Sequence, residues 1–469
     1  MTTRLRSVAV FEDLDIPADW LAGVVGGWDR PAILESRGGS GDDARWSLYA
    51  ARPRLVFEAL DEGWSIVGEG GTIESGVGDP LGALDRLVGR FGLADPADEP
   101  DPDASPFQGG LIGFLGYDLA PRLERLPRRH PRDSRIPDIR MGLYDTVVVH
   151  DARTGRVRVL AWDLTGEGSI AAERRCERWA RELSEAPRPG LGPIRVGGLV
   201  SSFTREEYLA TVRRVLEYIA AGDVFQVNLS QRFEARGEVD PLALFLSLRD
   251  RSPAPFSAML RWDDRAVVSA SPEWFYQTRG DRIVTRPIKG TRPRGRSPED
   301  DEALAIELAG SPKDRAELTM IVDLERNDLG RVCRYGSVVV RDALTVESFA
   351  QVHHLVATVE GRLRPEVGAV DVIRAMFPGG SITGAPKIRA MEIIDELEPN
   401  RRSLYTGAIG YLGRGGSSAF NIAIRTILVE GVQLSYQVGG GIVADSEPEA
   451  EYEETLAKGR GLHSVVRSS

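Results

Sequence analysis

The clearest apolar pattern in the chain begins shortly after residue 200. Thr204 and Glu207 have the spacing of a capping box, in which each residue satisfies a backbone N–H of the other at a helix start. Apolar residues then recur every three or four positions until Gly222, which predicts a helix over 204–222. These positions are Tyr208, Leu209, Val212, Val215, Leu216 and Ile219.

The pattern changes to strict alternation over residues 225–230, FQVNLS. A period of two predicts a strand, and it places Gln226, Asn228 and Ser230 on one face. Long strands joined by hairpins, with separate helices, indicate an α+β fold rather than a doubly wound parallel sheet. Further strands are predicted at 338–342, 406–412, 418–428 and 433–438, and further helices at 299–309, 312–329, 386–397 and 449–460.

A linker rich in proline and glycine, EAPRPGLGP, occupies residues 185–193. Before it, short alternating segments are separated by Gly, Pro and Asp turns, and the stretch at 95–106 has the composition of an acidic surface loop. We therefore predict an N-terminal domain over 1–185 and a second domain over 194–469, in keeping with a length that exceeds one simple core.

The composition excludes several classes of protein. A net charge of −11 and a pI near 5.3 argue against a nucleic-acid or anionic-membrane partner, because both need a basic surface. No apolar run is long enough to span a bilayer, and the early acidic residues do not fit a signal peptide. Two distant cysteines, Cys176 and Cys333, suggest neither disulfides nor a cysteine zinc site, which fits a reducing cytoplasm.

Lysine is rare in this chain. Lys289, Lys313, Lys387 and Lys458 are the only lysines among 59 basic residues. A genome bias towards arginine explains the scarcity, but it leaves each remaining lysine suspect, because arginine cannot serve as a neutral amine nucleophile. All four lie in the second half of the chain, within the segments that follow.

Two predicted helices carry pairs of carboxylates on one face. Asp314 and Glu317 follow an N-cap signal at Ser311, and Glu451 and Glu454 follow a second capping-box signal at 446–449. Two such pairs could hold one Mg²⁺, a hard cation that keeps open positions for substrate oxygens. The simpler alternative is that both are solvated helix faces.

Two glycine-rich segments could cradle an anion. Gly439, Gly440 and Gly441 end a predicted strand ahead of the acidic helix, where backbone N–H groups can approach a ligand closely. The segment 378–387, PGGSITGAPK, lacks the lysine position of a P-loop but can place a carboxylate at a helix start. A bulge or tight turn is the alternative for the first segment.

Three further residues are candidates for chemistry. Lys289 lies between a rigid proline and Gly290 in RPIKGT, a suitable setting for an amine nucleophile. Glu273 ends a predicted strand and could act as a general acid. His353 and His354 are adjacent on a predicted strand, so they face opposite sides and cannot bind one metal together.

Taken together, these segments resemble the chorismate-utilising enzymes, which include anthranilate, aminodeoxychorismate, isochorismate and salicylate synthases. The resemblance covers nearly the whole chain and is strongest over 203–465. It rests on motifs in the family's order, among them DVFQVNLSQRF, SASPEWF, RPIKGTRPRG, SPKDRAELTMIVDLERNDLGRV, VHHLVATVEG, FPGGSITGAPKIRAMEIIDELEP and GGGIVADSEPEAEYEETLAKGRGL. In the first half, ILES at 33–36 and FQGGLIGFLGYD at 107–118 match.

The resemblance implies a four-layer sandwich of two antiparallel sheets with outer helices, and a role for each candidate residue. Glu317 and Glu454 match the Mg²⁺ carboxylates, with Asp314 and Glu451 beside them. Arg425, Lys458, Tyr405 and the Gly439–Gly441 backbone match the groups around the enolpyruvyl carboxylate. Ser381 and Thr383 match a loop near the ring, His354 the active-site histidine, and Glu273 the acid that protonates the 4-hydroxyl.

Two positions select among the members of the family. Gln226 stands where hydrating members have a lysine, and Lys289 stands where anthranilate synthases usually have alanine. The resemblance therefore implies amination of chorismate at carbon 4, a transferase reaction that leads to para-aminobenzoate and folate. Lys289 is expected to be a covalent nucleophile, with a nearby cation such as Arg286 or Arg292 keeping it neutral. Ammonia is expected from a separate glutamine amidotransferase subunit.

One segment supports a different member. Leu34, Glu35 and Ser36 in ILES resemble the tryptophan pocket of feedback-inhibited anthranilate synthases, so anthranilate synthesis is the alternative activity. A non-catalytic chorismate-binding relative is a second alternative, although a pure binder has no need of both an acid and an amine.

Overall fold

A computed structural model describes residues 8–11, 14–38, 44–94, 104–163, 166–187, 189–349 and 352–466 of the chain. In this part of the chain, the helices are α1 Ala18–Gly26, α2 Pro80–Arg90, α3 Ala120–Leu123, α4 Ser169–Glu185, α5 Arg205–Ala220, α6 Pro241–Arg251, α7 Pro298–Gly310, α8 Pro312–Gly330, α9 Ala369–Met376, α10 Lys387–Leu397 and α11 Pro448–Val466.

The strands are β1 Val8–Phe11, β2 Ala32–Glu35, β3 Trp46–Ala50, β4 Leu55–Leu60, β5 Gly63–Gly68, β6 Gly71–Val77, β7 Gly110–Leu115, β8 Ile139–Tyr144, β9 Thr146–Asp151, β10 Arg156–Trp162, β11 Ile194–Val196, β12 Val200–Ser201, β13 Gln226–Val239, β14 Phe256–Trp262, β15 Arg265–Ser271, β16 Trp274–Arg279, β17 Arg282–Thr285, β18 Ile288–Pro293, β19 Val339–Ser348, β20 Val352–Arg362, β21 Gly384–Ala385, β22 Ala408–Gly413, β23 Ser418–Ile422, β24 Thr426–Glu430 and β25 Gln433–Ile442.

These strands form two large antiparallel sheets. The first has the order β1-β10-β9-β3-β2-β14-β15-β24-β25-β13-β11, with β12 and β21 paired to β13. The second has the order β18-β20-β17-β16-β23-β22-β7-β8-β4-β5-β6, with β19 paired to β20. The α+β prediction is confirmed. Strands from both sides of the 185–193 linker share each sheet, as the β2–β14 and β7–β22 ladders show; the division into two domains stays a prediction.

Three apolar cores separate four layers, in the order helices, first sheet, second sheet, helices. Between the sheets, Leu48 and Val267 of the first sheet share a core with Phe114 and Tyr411 of the second. On the outer face of the first sheet, α1, α4, α6 and α11 bury residues such as Leu462. On the outer face of the second sheet, α2, α8 and α9 do the same. Burial of apolar area at about 25 cal/mol per Å² makes these cores the main stabilising contribution.

The helix starts form largely as the sequence indicates. Thr204 and Glu207 make the reciprocal capping box of α5, and Ser311 caps α8 by accepting the N–H of Asp314. The second capping-box prediction is wrong. The hydroxyl of Ser446 accepts the N–H of Val443 and donates to Glu451 at 2.6 Å, because α11 begins only at Pro448.

Two strand predictions are corrected by the tertiary structure. The predicted strand 418–428 is two strands in different sheets, β23 and β24, and the chain crosses between them near Arg425, whose φ is 49°. The predicted strand 433–438 is longer than predicted: β25 continues to Ile442, so the glycines at 439–441 form its last part and pair with β13. A Cβ on Gly439 would lie 2.5 Å from the Leu229 carbonyl oxygen, so this pairing needs glycine.

Within the described residues, no helix combines the length and apolar content that crossing a bilayer requires.

Candidate active site

The predicted acid, Glu273, and the predicted nucleophile, Lys289, face one another across the loop that carries Ser381. The Lys289 Nζ donates to the Ser381 carbonyl at 3.3 Å, and the Ser381 hydroxyl donates to Glu273. Glu273 follows β15 and is only 7% exposed. Glu273 and Lys289, 16 residues apart, thus meet the distant Ser381 loop, and a carboxyl, an amine and a hydroxyl come together.

Burial shifts the pKa values of the acid and the amine towards each other. It raises the pKa of Glu273, against the hydrogen bond from Ser381 and the charge of Lys289. It also lowers the pKa of Lys289, against the carboxylates of Glu273 and Glu317. The pair thus approaches the state in which the carboxyl is protonated and the amine is neutral, which is what acid catalysis and nucleophilic attack require.

The position of the Lys289 amine depends on the turn formed by the next residue, Gly290. Gly290 has a φ of +72°, and a Cβ there would lie 2.8 Å from the Asp314 carboxyl carbon. Asp314 therefore packs on the Lys289–Gly290 turn, and it pairs with Arg292 at 3.3 Å. This contact gives Asp314 a role at the turn, and its predicted part in metal binding stays a prediction.

Carboxylates from α8 and α11 meet beside the glycines of β25. A Cβ on Gly440 would lie 3.3 Å from Glu451 Oε2 and 3.6 Å from Glu454 Oε1, so both carboxylates lie against the β25 backbone. Lys458 pairs with Glu454 at 2.6 Å and donates to the Gly439 carbonyl at 3.1 Å.

The pKa values of these carboxylates show that the carboxylates lie close enough to repel one another. Burial raises the pKa of Glu317, and the nearby charges of Asp314 and Glu454 add to the rise. Burial likewise raises the pKa of Glu451, with a further contribution from Glu454. Clustered, partly desolvated carboxylates suit a hard divalent cation such as Mg²⁺. In the described part of the chain no three-residue ligand group is preformed, so such an ion needs oxygens from water or substrate as well.

His354 lies beside the Lys289–Gly290 turn and within the electrostatic influence of Arg425. The His354 Nδ1 is 3.0 Å from the Thr291 hydroxyl. Burial, with help from Arg425, lowers the pKa of His354 to about 4, so the imidazole is neutral at neutral pH. His353 contacts Asp301 and Ser348 instead, which confirms that the two histidines face different sides.

Arg425 occupies the crossing between the sheets. Burial lowers its pKa, and within the described residues no carboxylate forms an ion pair with it. Arg425 is half-buried, and a partly desolvated guanidinium without an anionic partner is costly unless a ligand supplies the anion. Its environment therefore suits a substrate carboxylate.

The remaining predicted substrate residues lie in a buried network that the sequence analysis missed. Arg402 is bound to Glu398 at 2.7 Å and donates to the carbonyls of Asn228 and Ile382. It also lies over the ring of Tyr405, 5.5 Å from its centre. The i,i+4 spacing of Glu398 and Arg402 was a visible signal, but it is equally typical of surface pairs.

Thr383 serves the loop in this structure. Its hydroxyl donates to the Gly379 carbonyl at 3.0 Å, and its own carbonyl accepts the N–H of Asn228 at 2.9 Å. These bonds tie the Ser381 loop to β13. Its predicted contact with the substrate ring stays a prediction.

Gln226 is fully buried at the start of β13. Within the described residues, neither its amide oxygen nor its amide nitrogen has a hydrogen-bond partner. A Cβ on Gly441 would lie 2.8 Å from the Gln226 nitrogen, so the amide faces the glycine strand. An unsatisfied buried amide is uncommon and indicates a place that a ligand or water completes.

The Leu34, Glu35 and Ser36 segment lines a different cavity of about 400 Å³. Glu35 accepts the Tyr49 hydroxyl at 2.9 Å and lies 3.3 Å from Arg37. The rest of the lining is largely apolar and includes Trp46, Leu48, Pro255, Phe256, Trp274 and Ile409. The structure does not bring these residues to the Lys289 site.

The cation that faces Lys289 was also mispredicted. Arg286 pairs with Glu347, and Arg292 pairs with Glu307 and Asp314, so their charges are engaged elsewhere. Lys458 is the cation that helps to lower the pKa of Lys289. Sequence proximity favoured the arginines, whereas the fold brings Lys458 from α11.

These features agree with the comparison with known proteins. Residues 53–464 match the family of chorismate binding enzymes. The chain belongs to this family.

The relatives of this chain include enzymes with two different activities. The chain is 43% identical over 422 residues to aminodeoxychorismate synthase component 1 of Klebsiella aerogenes, covering 90% of each chain. It is 41% identical over 430 residues to anthranilate synthase component 1 of Thermus thermophilus, covering 91% of this chain and 90% of that one. In fold it is similar to anthranilate synthase component I from Streptococcus pneumoniae, with a TM-score of 0.79, 32% identity and coverage of 91% and 93%.

Proposed function

We propose that this protein is an aminodeoxychorismate synthase, which converts chorismate and ammonia to 4-amino-4-deoxychorismate for para-aminobenzoate and folate synthesis. The observation that carries the proposal is the placement of the Lys289 amine and the Glu273 carboxyl on either side of Ser381, which contacts both. The similarity to aminodeoxychorismate synthase component 1 proteins supports it.

The proposed reaction has two displacements. The neutral Lys289 amine adds to ring carbon 2, the double bonds shift, and the 4-hydroxyl leaves as water with a proton from Glu273. Ammonia then adds to carbon 4, the double bonds shift back, and the carbon–nitrogen bond to Lys289 breaks. The Lys289 nitrogen loses one proton on attack and regains one on departure, and Glu273 recovers its proton from the incoming ammonia.

The site's electrostatics determine how much enzyme is active. An ordinary glutamate and lysine, with reference pKa values of about 4.3 and 10.4, would rarely be protonated and neutral at the same time. Each unit by which burial closes the gap raises the active fraction about tenfold. Burial of Glu273 and Lys289 therefore serves catalysis directly, at a cost in stability.

The substrate's two carboxylates have separate partners in this proposal. Arg425, Lys458, Tyr405 and the backbone of Gly439–Gly441 bind the enolpyruvyl carboxylate. Glu317 and Glu454, with Glu451 and Asp314 beside them, hold Mg²⁺. When bound, the ion neutralises and orients the ring carboxylate.

Ammonia is proposed to come from a glutamine amidotransferase partner in the cytoplasm. The relatives' name, component 1, supports a partner component. The purified chain should therefore use ammonium at alkaline pH but not glutamine. Glutamine-dependent turnover by the single chain would contradict this part of the proposal.

Anthranilate synthesis is the second candidate, favoured by the Leu34–Ser36 cavity and by the Thermus thermophilus relative. Mass spectrometry of the product after incubation with chorismate, ammonium and Mg²⁺ separates the two. Aminodeoxychorismate retains the enolpyruvyl group, whereas anthranilate has lost pyruvate. Binding of chorismate without turnover would instead indicate a non-catalytic relative.

A further inference from the structure

One buried carboxyl near the active site has no part in the proposed reaction. Glu325 lies on α8, eight residues after Glu317, and is 3% exposed. Its Oε2 has no hydrogen-bond partner among the described residues. The backbone N–H of Gly380 donates to the carboxyl, and a Cβ on Gly380 would lie 3.5 Å from Oε1.

The charges around Glu325 do not neutralise it. Lys387 of α10 pairs with Asp328, one turn further along α8, at 2.5 Å and not with Glu325. Glu273 faces Glu325 from the turn after β15. Burial and the Asp328 charge raise the pKa of Glu325, with Lys387 acting in the opposite direction. A carboxyl with one unpartnered buried oxygen is better accommodated as the neutral acid.

Through Gly380, Glu325 contacts the loop that holds the two reacting groups. Ser381 is the next residue, and it gives its carbonyl to Lys289 and its hydroxyl to Glu273. On the other side, Thr383 ties the same loop to β13. The loop is thus held by β13 at one end and by α8 beneath Gly380.

We propose that Glu325 is a positioning residue: its buried carboxyl fixes the Gly380 backbone so that Ser381 holds the amine and the acid in reacting geometry. This inference rests on the proposed function. A misplacement of about 1 Å can reduce turnover by about a hundredfold, so the loss of this support should lower kcat more than it raises KM.

The main test compares two substitutions. Glu325→Gln keeps the shape and an oxygen that accepts the Gly380 N–H, so kcat should stay within about threefold of the wild-type value. Glu325→Leu removes the acceptor, so kcat should fall about tenfold or more while the KM for chorismate changes less than about threefold. Asp323→Asn is the matched control on α8, because Asp323 is exposed and pairs only with Arg326 in the described chain.

A second readout does not require turnover. The chain has four lysines, so reductive methylation with a ¹³C label gives four side-chain signals. In Glu325→Leu the Lys289 signal and its titration midpoint should change, by about half a pH unit or more. Lys387 should also respond as a neighbour of Glu325, whereas Lys313 and Lys458 should not. Glu325→Gln should leave Lys289 close to wild type.

The outcomes separate this inference from the proposed function. Absence of product with the wild-type chain refutes the function, and the Lys289 signal then decides the role of Glu325 alone. Wild-type kcat and an unchanged Lys289 signal in Glu325→Leu overturn the inference, as does equal damage in Glu325→Gln. If Glu325→Leu does not fold, Gly380→Ala displaces the same loop, since its Cβ would lie 3.2 Å from Leu324; unchanged kcat there also overturns the inference.

Discussion

The Lys289 site and the Leu34–Ser36 cavity differ in how their charged groups are paired. In the first, Arg425 has no carboxylate and Gln226 has no hydrogen-bond partner among the described residues. In the second, the charge of Glu35 is compensated by Arg37 at 3.3 Å, and its Oε1 accepts the Tyr49 hydroxyl.

This difference indicates different uses. Unsatisfied buried polar groups destabilise the free protein, and they are retained where a substrate completes them. In the second cavity the charge of Glu35 is already compensated, so an occupant has no missing counter-charge to supply there. The reaction site and the cavity contain adjacent residues: Glu273 belongs to the reaction site, and Trp274 lines the cavity. A ligand in the cavity could therefore affect the acid through one peptide unit.

The largest expected effect is at Lys289. Lys289→Arg keeps a positive charge but cannot attack as a neutral amine, so it should lose about 10³-fold or more in kcat, as should Lys289→Ala. Turnover of chorismate with ammonium measures this, and digestion of wild-type enzyme incubated without ammonia should yield a ring adduct on the Lys289 peptide. A wild-type rate for Lys289→Arg would leave only an electrostatic role for this residue.

The next effect concerns Mg²⁺. Glu317→Gln should reduce turnover about a hundredfold or more and raise the Mg²⁺ concentration needed for half-maximal activity, because one hard oxygen ligand is lost. Asp323→Asn on the exposed face of α8 is the control. Full activity of the wild type in excess EDTA would refute a metal role for this cluster.

The pH dependence tests the paired pKa shifts. Activity needs Glu273 protonated and Lys289 neutral at the same time. Turnover should therefore decline at pH values above the higher of the two pKa values and at pH values below the lower one. Their opposite shifts predict a bell-shaped profile of kcat/KM, narrower than reference values of about 4.3 and 10.4 would give. Glu273→Gln should remove one limb together with most activity. A profile flat from pH 5 to about 10 would contradict the assignment.

A smaller effect is expected on stability through His354. Its pKa is about 4 in the folded state and 6.5 ordinarily, so the unfolded chain binds the proton more readily. Stability is then lost as pH falls from about 6.5 towards 4, and this group should contribute a loss of about 2 kcal/mol between pH 7.5 and 5. Urea unfolding of wild type and His354→Gln at both pH values measures it. Equal pH dependence in both would refute the buried neutral state.

The smallest effect should come from the second cavity. Ala419→Leu fills part of it, and because no reacting group is touched, kcat with chorismate should stay within about twofold. If the cavity takes tryptophan, calorimetry should show at least about a tenfold loss of affinity in this variant. A large fall in kcat would show that the cavity and the reaction site are not as separate as their partners suggest.

Much of this molecule follows from local sequence. The caps at Thr204 and Ser311 and the alternation along β13 appear where the pattern predicts them, because capping and side-chain periodicity depend on neighbours within a few residues. The order of the family motifs likewise predicted the two antiparallel sheets. The carboxylates of α8 and α11 were found in the same way, from their spacing on a helix.

Tertiary structure decided which of these groups meet. Lys458, and not Arg292, faces Lys289. Asp314 packs against the turn at Gly290. Arg425 lies where the chain crosses between the two sheets, inside what the sequence predicts as one strand. Periodicity specifies the face on which a side chain lies but not its partner there, since partners come from other segments of the chain, as Lys458 does for Lys289. The pKa shifts that prepare Glu273 and Lys289 are likewise products of burial, which exists only once the sheets and helices have packed.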